Sequence, residues 1–174
     1  GLAADPAEVA EVREALGDIA HDSERAGGVI QRLRAMFMKT GHKRSVLQID
    51  DVIQETLDLL RSEFVLKGIS TQLHLEPALP KVLGDHIGLQ QVVVNLVVNA
   101  LEVMAELPPG SRNLHISTRR EDAARIRVSF RDFGPGIPAP QLTRLFEPFF
   151  TTKADGMGMG LAISRSIIEA HDGC

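Results

Sequence analysis

Asp132-Phe-Gly-Pro-Gly-Ile-Pro138 leads through Phe146-Glu-Pro-Phe-Phe-Thr-Thr-Lys153 into Gly156-Met-Gly-Met-Gly-Leu161, and about thirty residues upstream Asn95-Leu-Val-Val-Asn99-Ala100 sets two amides one helical turn apart. Glu102 follows three residues after Asn99, so the three polar side chains share one stripe of an apolar helix. Such groups must find partners or line a cavity, because an unpaired buried amide costs about 1–3 kcal/mol. An amide oxygen is a hard ligand suited to Mg2+. A pair of hydrogen-bonded core asparagines satisfies the same pattern. Asp132 follows the strand Arg125–Phe130 directly and precedes Gly134-Pro-Gly136. A buried carboxylate there can accept a hydrogen bond from the exocyclic amine of adenine, where guanine presents a carbonyl. A plain Asp-x-Gly turn is the simpler alternative. Gly156, Gly158 and Gly160 permit close backbone approach, and the helix start behind them offers N–H groups to phosphate. A flexible loop would read the same way. As a set, these boxes describe a nucleotide site built without a Walker loop.

Around the boxes the chain alternates helices and strands. Val46–Ile49 reads as a short strand, and Asp50 as the cap of a helix running to about Lys67, stopped by Gly68. Ile69–Leu75 alternates as a strand before the loop Pro77–Pro80. Asp85 can cap the apolar helix from His86 to about Glu106, closed by Pro108-Pro-Gly110. Leu114–Arg119 and Arg125–Phe130 form a hairpin pattern around a polar turn. A short helix near Pro140–Leu145 and a last one from about Leu161 to Ala170 complete an α/β fold, a two-layer sandwich of helices on a mixed sheet. No strand leads into the glycine run, which argues against a dinucleotide fold. Asp132-Phe-Gly also lacks the catalytic-loop motif that a protein kinase would need.

Upstream lies a long N-terminal helix. Asp5, Pro6 and Glu8 form a start signal, and Val9, Val12, Leu16, Ile19, Ser23, Ala26, Ile30, Leu33 and Phe37 sustain spacings of three and four. A seam this narrow suits a partner helix, although Gly27-Gly28 weakens its middle. Residues 1–44 therefore read as helix plus linker, and 45–174 as the nucleotide-binding domain. At 174 residues, 44% apolar, 24% charged and net charge −4, the chain is globular and gives no electrostatic case for nucleic acid. Its single cysteine, Cys174, excludes an internal disulfide framework and fits a reducing compartment. No run reads as a membrane helix or a signal peptide.

The order and spacing of the boxes resemble the N box, first glycine box, F box and second glycine box of sensor histidine kinases, over about Val46–Asp172. The resemblance implies a Bergerat-type ATP-binding fold and Mg2+ as its metal. Asn99 would ligate Mg2+, Asn95 would hold phosphates or their waters, and Asp132 would bind adenine. Gly134, Gly136 and Ile137 would floor the pocket, with Glu102 beside it. Gly158 and Gly160 would cradle phosphate and Lys153 would contact it, Thr152, Gly156, Met159 and Leu161 would also bind ATP, and Thr151–Met159 would form a lid. Phe146, Phe149 and Phe150 would pack its hinge. The implied reaction transfers the γ-phosphoryl group of ATP to a histidine, for relay to a response regulator receiver domain. By analogy the N-terminal helix is the second helix of a homodimerising hairpin. The acceptor would then stand on a helix before Gly1. His21-Asp22 is only superficially similar to the acceptor context, with Ser23 and Ala26 where an apolar residue and a proline are usual. The last strands of the family's sheet are expected to be absent after Cys174. A cytoplasmic place without direct membrane contact is also expected.

Two other readings stand beside this one. An ATPase of the gyrase, Hsp90 or MutL kind carries a glutamate four residues before the metal-binding asparagine, and here that position is Asn95. A non-catalytic ATP-binding fragment that dimerises through its helix would share the same boxes.

Overall fold

The chain divides into two units, Gly1–Gly41 and His42–Cys174. A computed structural model describes residues 44–153 and 156–174, so the heptad seam from Val9 to Phe37 and His21 lie outside the described residues. In chain order the elements are β1 (Ser45–Leu47), α1 (Ile49–Leu59), α2 (Arg61–Leu66), β2 (Ser70–Leu75), β3 (Val82–Gly84) and α3 (His86–Ala105). β4 (Asn113–Arg120), β5 (Ile126–Asp132), α4 (Ala139–Leu142) and α5 (Gly160–Ala170) follow.

Alternation drives the central strands. Leu114, Ile116 and Thr118 of β4 are buried, and the residues between them are less so. β5 folds back antiparallel, opposing Ile116 with Phe130 and Thr118 with Val128, while β2 lies parallel on the other side of β4. This mixed sheet has the order β2-β4-β5, and β1 pairs antiparallel with β3 in a separate two-stranded sheet. The helices cover the face that bears Leu114 and Ile116. Ile53, Val97, Leu101 and Met104 meet those two residues in one apolar core. α3 packs between α1 and α5 and is the centre of the helical layer.

Several boundaries differ from expectation. The helix after β1 breaks at Leu60 (φ −93°, ψ 7°) into α1 and α2. Its N-cap is Gln48 rather than Asp50, which falls in the first turn. There an acid favours the helix dipole without capping it. β3 was unforeseen, as was the separation of β1 from the main sheet. Asp132 is the last residue of β5 rather than the residue after a strand. α3 is also long and apolar enough to cross a membrane, contrary to the sequence reading. Leu89, Val93, Val97, Ala100, Leu101 and Met104 of this helix instead join the core, with Asn95, Asn99 and Glu102 on another stripe.

Local signals that held include the Asp85 cap, whose Oδ1 accepts from the Ile87 amide at 3.1 Å, and Gly68, with φ +60° after α2. The far end of α5 is fastened by His171. Its Nε2 accepts the Asp85 N–H at 2.8 Å, so the ring proton sits on Nδ1 and donates to the Ile167 carbonyl at 2.7 Å. One neutral imidazole thus ties the end of α5 to the start of α3. Arg44 adds bonds to the Ala170 carbonyl and to Asp172.

Ile116→Ala should lower stability by about 2–5 kcal/mol, because it removes a side chain with no exposed surface. Leu83→Ala, at a residue 60% exposed, should stay within about 0.5 kcal/mol of the parent. Urea denaturation of the two variants checks the contrast.

Candidate nucleotide-binding site

The polar stripe of α3 organises the site from end to end. Gln91, Asn95, Asn99 and Glu102 follow at helical spacing; Asn95 meets the start of α5, while Asn99 and Glu102 both meet Lys153. The Asn95 amide donates to the Gly160 carbonyl at 3.1 Å and to Ser164 Oγ at 3.1 Å, while its oxygen accepts from Gln91 at 3.0 Å. Ser164 is 5% exposed. It also donates back to the Gly160 carbonyl at 2.9 Å, so this cluster locks the first turn of α5 onto α3. The amide of Asn95 is therefore engaged with protein groups on both its nitrogen and its oxygen.

One turn on, Lys153 Nζ donates to Asn99 Oδ1 at 3.2 Å and pairs with the Glu102 carboxylate. Two hard oxygen donors thus converge on one cation, and an amide oxygen such as that of Asn99 fits a divalent metal that takes its remaining ligands from phosphates and water. Beyond Glu102, a Cβ on Gly134 would come within 2.5 Å of Val103 Cγ1. No side chain fits between that loop and α3. Asp132 Oδ1 accepts the Gly134 N–H at 2.9 Å, the Asx turn that the Asp-x-Gly string suggested. Its other carboxylate oxygen has no protein partner among the described residues. Asp132 is exposed, not buried as expected, because it closes the outermost strand of the sheet.

The segment after α4 folds through its backbone. Gly158 has φ +64°, and a Cβ there would lie 2.5 Å from the carbonyl carbon of Phe149 and 2.6 Å from that of Phe150. A Cβ on Gly156 would strike Thr151 Oγ1. The F box and second glycine box are therefore pressed main chain to main chain. The phenylalanine rings contribute less than expected. Phe149, at φ +68°, is 72% exposed, and Phe146 is 46% exposed. Arg144 lies 4.5 Å over the Phe150 ring and Arg165 5.7 Å over the Phe146 ring.

The structure thus brings together Asn99, Glu102 and Lys153, joins Asn95 to Gly160, and joins Asp132 to Gly134. Gly136 turns with φ +78° and open space around it, and Ile137 is 50% exposed. Thr152 is exposed, and Met159 and Leu161 are half-buried at the start of α5. Of the expected lid, residues 154–155 lie outside the described residues. Sequence reasoning missed Gln91, Val103 and Ser164. Gln91 stands four residues before Asn95 and was visible as a continuation of the stripe. Ser164 interrupts an apolar run on the last helix. Val103 carries no signal, since its role is only to be close.

The chain belongs to the family described as histidine kinase-, DNA gyrase B-, and HSP90-like ATPases, matched over residues 84–174. Within that family its relatives are sensor histidine kinases. The sensor histidine kinase TmoS of Ectopseudomonas mendocina is 35% identical over 172 residues, which cover 97% of this chain and 18% of that protein. The catalytic domain of histidine kinase ThkA superposes with a TM-score of 0.65 at 30% identity, over 74% of this chain and 81% of that one. Full-length ShkA in complex with AMPPNP superposes with a TM-score of 0.70 at 26% identity, over 97% of this chain and 34% of that one. The chain spans a third or less of the length of the curated relatives it matches. The two-layer fold and the ATP-binding domain of the sensor kinase kind agree with the sequence reading.

Gly158→Ala should be the more damaging of two glycine substitutions. At Gly136 the change costs about 1–2 kcal/mol for a left-handed backbone alone, whereas at Gly158 the contact with Phe149 and Phe150 adds to that. Thermal denaturation, with limited proteolysis of the 144–160 segment, distinguishes them. Equal losses would contradict the close packing.

Proposed function

We propose that this chain is the nucleotide-holding part of a sensor histidine kinase, presenting Mg-ATP so that its γ-phosphoryl group passes to a histidine and then to a receiver domain. The observation that carries the reading is the convergence of the Lys153 segment and the α5 start on one polar stripe of α3, with the Asp132 turn packed on the same helix at Val103. The AMPPNP complex of ShkA supports an adenine nucleotide as the ligand.

In this reading Asn99 Oδ1 holds Mg2+, which supplies charge neutralisation on the phosphates when bound. The carboxylate oxygen of Asp132 not used by Gly134 accepts the adenine amine. Gly156 and Gly158 let the backbone approach the phosphates, and the first turn of α5 directs its positive dipole end at them. Asn95 acts behind the site, fixing that turn through Gly160 and Ser164. The same contacts favour transfer over hydrolysis. Four residues before Asn99 stands an amide, which cannot take a proton from water, and it is already bonded on both sides. Catalysis is then positioning and electrostatics, with the nucleophile supplied by the acceptor histidine.

Asp132→Asn should weaken ATP binding by about 1–3 kcal/mol through loss of a charge-assisted bond, and Asn99→Ala should abolish the gain that magnesium gives. Calorimetric titration with ATP and GTP, with and without magnesium, measures both. Equal affinity in all cases would remove the metal assignment. Incubated with γ-labelled ATP, the chain should neither label His21, whose context lacks the proline and apolar neighbours, nor release phosphate rapidly. Stoichiometric label on His21 would overturn that account, and rapid release would favour the ATPase reading.

We further propose that residues 1–44 contribute a dimerising helix in the intact protein and that this region works in the cytoplasm. The motive for dimerisation is the spacing of apolar residues from Val9 to Phe37. Ile30→Asp with Leu33→Asp should shift the intact kinase toward monomer in sedimentation at low micromolar concentration. An unchanged profile would count against the seam.

A further inference from the structure

Lys153 makes an unusual choice of partners for a loop lysine. Its ammonium lies against Asn99 Oδ1 at 3.2 Å and the Glu102 carboxylate, although both side chains of the ion pair are about two-fifths exposed and open to water. The Lys153 backbone is fixed by its N–H donating to Thr151 Oγ1 at 3.1 Å. Thr151 in turn abuts Gly156, so the lysine is delivered by the tightly packed segment rather than by a free side chain alone.

We propose that Lys153 is an internal cation that competes with the magnesium nucleotide for Asn99 Oδ1, and that Glu102 is the positioning residue that sets how strongly it competes. This rests on the nucleotide reading given above. The argument is one of charge and space. Asn99 Oδ1 cannot accept an ammonium and ligate Mg2+ together without placing two cations in contact, a repulsion with no intervening water to screen it. Entry of the metal therefore requires Lys153 to leave, and the nearest charge it can then serve is phosphate. Glu102 holds the lysine on α3 and opposes that transfer. Removing its charge should tighten nucleotide binding, whereas a residue that simply helps to bind nucleotide would weaken it when altered. Exposed ion pairs are modest, so the expected change is about two- to fivefold.

The test is a cycle of wild type, Glu102→Gln, Lys153→Met and the double variant, titrated with ADP at fixed magnesium by calorimetry. Glu102→Gln should tighten ADP by about two- to fivefold when Lys153 is present and leave it unchanged in the Lys153→Met background. Weaker binding in Glu102→Gln, or the same effect in both backgrounds, would overturn the proposal. Hydrogen exchange without nucleotide gives an independent reading. The Lys153 amide should exchange faster in Glu102→Gln than in wild type, and Asp132→Asn should leave it alone. If no variant binds ADP, the nucleotide reading has failed. The exchange experiment still judges the Lys153–Glu102 hold, and unchanged exchange overturns it.

Discussion

The twenty residues of α3 must satisfy two solvents at once, and the rest of the domain is arranged around that demand. Val97, Leu101 and Met104 are completely or nearly completely withdrawn into the core with Leu114 and Ile116. Asn95, Asn99 and Glu102 leave the same helix on another stripe and bond to Gly160, Ser164 and Lys153. Because the helix is held rigidly by its apolar side, the three polar side chains keep a fixed spacing along it. Everything attached to them inherits that spacing. A surface helix with the same amides would have no such ruler, since its orientation would follow solvent rather than the sheet.

The glycine boxes acquire a different meaning once the contacts are known. Glycine-rich strings are usually read as permission for a ligand to come close. Here Gly134 first lets a loop approach Val103, and Gly158 lets one stretch of main chain approach another at Phe149-Phe150. Packing of this kind shapes the walls before any ligand is considered. Phe149 sits at a positive φ with an exposed ring, an unfavourable conformation for a bulky residue that the surrounding contacts must hold.

What could be read from the chain divides along the range of the interaction responsible. The Asp85 cap, the Gly68 stop and the hairpin of β4 and β5 depend on residues a few positions apart, and all were legible. β3 is three residues, Val82-Leu83-Gly84, and becomes a strand only because β1 lies beside it from far upstream. The break at Leu60 carries no glycine or proline to announce it. For the site, residue types and order were plain in the boxes, and so was the shared face of Asn99 and Glu102. The work of Asn95 was hidden, because its partners Gly160 and Ser164 are 65 and 69 residues away. The exposure of Asp132 was misread because a strand end says nothing about whether its strand is central or outermost.

The tie between Arg44 and the end of α5 bears on how the outer elements of this unit hold one another. Arg44 stands just before the first strand and Asp172 just after the last helix, yet their side chains lie 3.4 Å apart. The start of β1 and the end of α5 therefore share one corner. Unfastened ends of a fold fray first, because little of their backbone is buried or bonded. Here the lead into β1 and the tail of α5 act as each other's clasp, so freeing one loosens both.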